Sequence, residues 1–179
     1  VFSALALFAG SGALLWQARR LDESRVRTRR AESRFRATLE GSMDAVLFLD
    51  AARDGAGSAF DFRVSEVNSL GARFLGAVRD TAVIGTSLFT HYPSLRVDGT
   101  FLSMQRTMKT RRKLSGELHL VDGASVGAWL HYQMVPVRGG LAFILRDITE
   151  RKLAEQELES MARTDSLTKL ANRRQFEDL

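Results

Sequence analysis

Arg146-Asp147-Ile148-Thr149-Glu150-Arg151-Lys152 is the stretch on which the fold turns. Before it, short apolar runs alternate with turns, as in a sheet-forming domain; after it the residues are charged and helix-favouring as far as Arg174. Asp147 followed by Glu150 three residues later predicts a capping arrangement that opens a helix there. Asp147 with Arg151, and Glu159 with Arg163, are spaced and oriented as i,i+4 ion pairs. Ala154, Leu158 and Met161 add a 4,3 apolar spacing suited to a short coiled coil. The stretch is a junction: whatever residues 31–146 detect reaches the chain beyond only through it.

Upstream of the junction the strand signals fall in a definite order. Ala45 to Asp50 is a short apolar run, Arg53 to Ser58 is rich in turn formers, and Phe60, Phe62 and Val64 alternate with polar residues, which predicts a hairpin. Asn68 to Gly76 changes to helical spacing, and the chain to Pro93 reads as loop with short helical pieces. Ser94 to Lys109 places Phe101, Met104, Gln105 and Met108 on one helical face. Three strands follow: Leu114 to Leu120 up to a turn at Asp122-Gly123, Val126 to Val137, and, after the Gly139-Gly140 turn, Leu141 to Leu145. Two strands, helices and three strands predict an α+β fold, a five-stranded antiparallel sheet with flanking helices and a cavity between them.

The N-terminal part has a different character. Residues 1–16 carry no charge, end in Trp16, and are followed at once by Arg19 and Arg20. Sixteen residues fall short of the roughly 20 that cross a bilayer, but the chain opens on Val1, so residues 1–18 read as the C-terminal part of a transmembrane helix. A signal-peptide core and a buried helix are the alternatives. The interfacial Trp and the arginines then mark the cytoplasmic side, so the expected location is the inner membrane with everything downstream in the cytoplasm. The net charge of +5 is concentrated between Gln17 and Arg36, where eight arginines face Asp22, Glu23 and Glu32. Residues 19–40 read as a basic juxtamembrane helix whose sparse apolar stripe, Leu21, Val26, Ala31, Phe35 and Leu39, suits either pairing in a homodimer or lying near acidic lipid. Aromatics other than Phe35 are lacking there, which argues against a nucleic-acid stacking platform.

With that order in place, residues 41–150 resemble a PAS domain with its C-terminal PAC part. The resemblance rests on Ser42-Met43-Asp44-Ala45-Val46, on Asn68 to Gly76, which is similar to the family's Asn-x-x-Ala-x-x-x-Leu-Gly region, on Trp129 to Val137, and on the Arg146 to Lys152 junction. Residues 151–162 then serve as a helical linker. Residues 163–179, opening Arg163-Thr164-Asp165-Ser166-Leu167-Thr168-Lys169-Leu170, resemble the first helix of a GGDEF domain, the diguanylate cyclase module, with Lys169 where glycine is common. What that resemblance implies is a membrane-anchored sensory region controlling synthesis of cyclic di-GMP from GTP with Mg, in a catalytic part beyond Leu179. The alternative is a PAS dimerisation or small-molecule-binding module with no active enzyme attached.

The chain itself is expected to be catalytically inactive. Asp50, Asp54, Asp61 and Asp80 have no partner at a spacing that sets one as acid and another as base, and Gly55, Gly57, Gly71, Gly76, Gly139 and Gly140 sit at turns rather than in a phosphate loop. For the PAS pocket the resemblance implies haem or a small metabolite, or a core filled by its own side chains. The absence of cysteine excludes a flavin thiol adduct and thiolate metal ligands. His91 is the best-placed haem ligand, whereas His119 and His131 lie on strands. Asn68 reads as a ligand contact or a helix cap, and Trp129 and Tyr132 fall on opposite faces of one strand, so at most one lines the pocket. Asp147, Ile148, Thr149 and Arg151 are the candidates for passing strain from sheet to helix.

Overall fold

The computed structural model describes residue 27 and residues 29–163, with side chains to 159. Two compact units divide at Gly41. The described part of the first is a helix, α1, over residues 29–40, with an exposed surface and a Thr38 hydroxyl that donates to Arg34 O (2.9 Å). Residues 1–18 and 164–179, on which the membrane-helix and GGDEF readings rest, lie outside the described residues. Among the described residues no helix is long and apolar enough to cross a membrane.

The second unit is an antiparallel sheet of β1 (Ala45–Arg53), β2 (Ala59–Val67), β3 (Leu114–His119), β4 (Trp129–Pro136) and β5 (Gly140–Asp147), in the spatial order β2-β1-β5-β4-β3. Between β2 and β3 run α2 (Ser69–Phe74), α3 (Leu88–His91) and α4 (Thr100–Thr110), with 3-10 turns at Asp80–Ala82 and Pro93–Arg96. Helix α5 (Thr149–Arg163) leaves from the end of β5. The expected order of elements is the one found, because β2, β3 and β4 largely alternate toward one buried face and the central β5 is a continuous buried apolar run. Leu47 and Leu49 of β1, Phe62 and Val64 of β2, Met134 of β4 and Phe143 of β5 are all buried under the helices. Each such side chain contributes about 1.5–3 kcal/mol over leaving it in water.

Two boundaries differ from the sequence reading. The long helix starts at Thr100 rather than Ser94, because Gly99 takes φ 94° and the Asp98 carboxylate receives the Thr100 N–H (2.8 Å), which fixes a helix start there. β4 starts at Trp129 rather than Val126, because Gly123 and Gly127 both have positive φ and fold residues 122–127 into a loop. A Cβ at Gly123 would meet the ring of Tyr92, so that loop is packed against the core.

Candidate functional site

The space between sheet and helices is occupied by the protein's own side chains. Phe62, Tyr92, Met104, Met134 and Phe143 all have no exposed surface, and Phe74 stacks on Tyr92 with ring centroids 4.6 Å apart. The Tyr92 hydroxyl donates to Phe74 O, and burial pushes its pKa above the ordinary tyrosine value. No buried side-chain nitrogen or oxygen among the described residues is left without a partner.

The four pocket residues chosen from sequence are not brought together. Asn68 is the N-cap of α2: its Oδ1 accepts from Gly71 N (2.8 Å) and from Val46 N (3.0 Å), while Nδ2 donates to Asp44 O (2.9 Å). It therefore ties α2 to the start of β1. His91 Nε2 lies 2.9 Å from Thr86 Oγ1, a contact that an axial bond from this nitrogen to haem iron would have to break. Trp129 lies against His119, ring centroids 4.8 Å apart and tilted by 33°, and under Lys152 of α5, whose Nζ is 5.4 Å from the indole ring centroid. Tyr132 packs partly into the core and lines an open cleft of about 370 Å³ with Asp98, Thr100, Ser103, Glu117 and His119. Among the described residues no group of three or more histidines and carboxylates is arranged to hold a metal ion.

The residues that do converge are at the junction. The Ile148 N–H donates to Trp129 O (2.8 Å), and the Thr149 hydroxyl accepts from Trp129 N (2.9 Å), so the first residues beyond β5 continue its pairing with β4. Asp147 Oδ1 accepts from Thr149 N (2.8 Å), which caps the opening of α5, and Ile148 is buried. Arg151 does not pair with Asp147 as its i,i+4 spacing suggested. It bonds Glu155 and, across the gap to β3, Glu117, both at 2.6 Å. Lys152 also reaches Glu117 (2.7 Å). These hydrogen bonds, from Lys152 first and Arg151 second, hold the Glu117 carboxyl below its ordinary value, and Glu117 in turn raises both cations. At the other side of the sheet Arg146 grips Asp44 through two bonds of 2.8 and 3.0 Å, which joins the exit of β5 to the residue before β1.

Glu117 and the Arg146–Asp44 pair escaped the sequence reading. Glu117 looks like any outward-facing polar residue of an alternating strand, and only the pairing of β3 with β4 brings it beside α5. The proposed Glu159–Arg163 pair lies outside the described side chains.

This arrangement, a five-stranded antiparallel sheet with its helices inserted between the second and third strands and a capped exit helix, is matched by the family model for the PAS fold over residues 39–153. The chain belongs to the PAS family. As such it is a sensory, signalling domain. Among solved structures it is similar to the PAS domain of a protein from Colwellia psychrerythraea (18% identity, TM-score 0.50, covering 70% of this chain and 99% of that one). It is also similar to a domain of a sensory box sensor histidine kinase/response regulator from Geobacter sulfurreducens (14% identity, TM-score 0.50, 65% and 94% covered). An RNA-binding Light-Oxygen-Voltage receptor matches with TM-score 0.53 at 16% identity, over 73% of this chain and 36% of that one. At these identities the likeness is one of fold. No curated protein sequence matches the chain.

Proposed function

We propose that this PAS domain regulates a diguanylate cyclase, with α5 as the mechanical link. One observation carries the reading. The exit helix is pinned to β4 and β3 through Ile148, Thr149, Arg151 and Lys152, and it is described as far as Arg163, the first residue of the stretch that resembles the opening of a GGDEF domain. A shift in the pairing of β4 or β3 changes the pitch or rotation of α5. A cyclase that joins two GTP molecules needs two half-sites to meet, so a change of this kind between two copies of α5 sets its output. Ala154 and Leu158, four residues apart and exposed on α5, supply the described part of an apolar stripe for pairing in a homodimer. In this reading residues 1–18 anchor the protein in the inner membrane, and the input is a small molecule or haem that enters the PAS interior by displacing its side chains.

The test begins with the coding sequence that follows Leu179, which must hold a Gly-Gly-Asp/Glu-Glu-Phe loop. The longer protein is then assayed for cyclic di-GMP made from GTP, beside a Glu117→Gln variant that frees Arg151 and Lys152. Loop present, product formed and an altered rate in the variant support the reading. Absence of the loop sinks it in favour of a binding and dimerisation module. Native mass spectrometry and absorption spectra of the purified protein report whether a metabolite or haem is bound.

A further inference from the structure

The sheet order gathers three distant stretches of chain at the end opposite the junction. β1 finishes there at Arg53, β5 begins there at Gly140 across from Asp50, and β3 begins there at Leu114 across from Met134. α4 finishes at the same end, where Gln105 Nε2 donates to Ala59 O (2.6 Å) and Arg111, just past the helix, donates to Val137 O (3.1 Å). Residues 50–58, 107–113 and 134–140 hold six cations, Arg53, Lys109, Arg111, Arg112, Lys113 and Arg138, against two acids, Asp50 and Asp54. All six cations are exposed.

Elsewhere in this unit several cations are paired, Arg146 with Asp44, Arg151 and Lys152 with Glu117, and Arg96 at 3.7 Å from Asp61, while Arg73, Arg79 and Arg106 are exposed without an ion pair among the described residues and do not cluster in one stretch of chain. At this end none of the six forms an ion pair among the described residues. Asp54 Oδ1 accepts the N–H groups of Ala56 (3.0 Å) and Ser58 (2.8 Å) within the hairpin, and the carboxylate forms no ion pair with any of the six. The carbonyl end of α4 accounts for one or two cations by its dipole. It does not account for Arg53 or Arg138, which come from the two hairpins. Six like charges gathered at one end of the sheet repel, and Asp50 and Asp54 offset only two of them.

Between the β1–β2 hairpin and α4 lies an open cleft of about 410 Å³. Arg53 stands on its hairpin wall and Lys109 on its helix wall; Ser58 and Gln105 line it between them, and Ala59 and Met108 give it an apolar part. Arg53 Nη1 donates to Gly57 O (2.7 Å), which orients the guanidinium while its other N–H groups remain for a ligand. The volume is that of a small-molecule site, typically about 300–1,000 Å³. We propose that this cleft binds a small phosphate-bearing ligand, with Arg53 and Lys109 holding the phosphate oxygens and Met108 packing against the uncharged part. Guanidinium matches phosphate as a planar fork and ammonium as a point charge, so the two walls supply the two usual modes. The lining holds no aromatic ring on which a nucleic-acid strand could stack, and half-buried Met108 is its largest apolar side chain, too little to insert into a membrane.

The test uses the full 179-residue chain and inorganic pyrophosphate as probe, followed by calorimetry and phosphorus NMR. The expected result is saturable binding that weakens as salt rises from about 50 to about 300 mM. Arg53→Gln with Lys109→Gln should weaken it by about tenfold or more, whereas Arg79→Gln, which removes an exposed cation elsewhere, should leave it within about twofold. Unchanged circular dichroism and the Lys109→Gln single variant separate loss of the site from loss of the fold. Absence of saturation, or equal affinity in the double variant, overturns the proposal. So does binding to phosphatidylglycerol vesicles or duplex DNA without binding of free pyrophosphate, which would make this end a surface for a lipid or a nucleic acid instead.

Discussion

Replacing Asn68 by alanine should destabilise the PAS domain by about 2–4 kcal/mol, although Asn68 only caps a six-residue helix. The side chain is 1% exposed and holds three backbone groups from two elements: Gly71 N, Val46 N and Asp44 O. Loss of the N-cap bond alone costs about 1 kcal/mol. Loss of the bond to Val46 N leaves an amide unpaired in the interior, at about 1–3 kcal/mol more. The sum, about 2–4 kcal/mol, lowers the midpoint of thermal unfolding by about 8–16 °C in a domain of this size. Asn68→Asp keeps both acceptor bonds but sets a buried carboxylate oxygen against Asp44 O, acceptor to acceptor, so it should destabilise the domain as well, and more at neutral pH than in acid, where the carboxyl can donate. Urea unfolding followed by circular dichroism measures both, and hydrogen exchange at Val46 and Gly71 localises the loss. An alanine variant within about 0.5 kcal/mol of the parent would refute the reasoning, and would reopen the role of Asn68 as a ligand contact.

Two further predictions concern titrating groups. Tyr92→Phe keeps the stack on Phe74 and removes the buried hydroxyl's bond, so it should cost about 1 kcal/mol at neutral pH, read from urea unfolding. Because burial raises the Tyr92 pKa, the native state favours the neutral phenol. Its contribution is complete below the ordinary tyrosine value near 10 and falls as pH rises through the folded value, and the Phe variant should lack that alkaline slope. Glu117 is the opposite case: Lys152 and Arg151 lower its pKa, so its hold on α5 is complete above the ordinary carboxylate value and is lost as pH falls through the lowered one. The protection of α5 amides, relative to their intrinsic exchange rates, should fall in acid in the parent and already at neutral pH in Glu117→Gln, with β3 little changed; equal protection of α5 in parent and variant would remove Glu117 from the link.

Alternation carries a fold when each strand has one wet face, and this chain obeys that rule in Leu47/Leu49 and Phe62/Val64, whereas the central β5 is a continuous apolar run from Leu141 to Leu145 with Ala142 buried too; the two patterns together made the element order legible. Helix starts were less so. Ser94 to Lys109 has helical spacing throughout, but a backbone glycine at φ 94° decides where the helix can begin, and spacing does not register a backbone angle. At the junction only the local contacts were legible. Asp147 meets Thr149 N two residues on, whereas Ile148 N and Thr149 Oγ1 meet Trp129 about twenty residues back, and of the three acids Asp147, Glu155 and Glu117, Arg151 takes the last two. Asp147 is engaged by Thr149 N, and β3 presents Glu117 at the height of the first helical turn, so the guanidinium bridges forward to Glu155 and across to the sheet. Sequence distance, 34 residues between Glu117 and Arg151, hides that choice. The same reason hid the basic end: Lys109 to Lys113 reads as an ordinary charged helix terminus, and Arg53 and Arg138 as isolated turn residues, until the antiparallel order β2-β1-β5-β4 puts both hairpins beside α4. The junction and the basic end therefore lie at opposite ends of the same strands, and a ligand drawn in by Arg53 and Lys109 would press on β1 and α4 while the output leaves from β5. β5 pairs with β1 along six residue pairs, from Ala45 opposite Leu145 to Asp50 opposite Gly140, which is a continuous mechanical path from one end to the other.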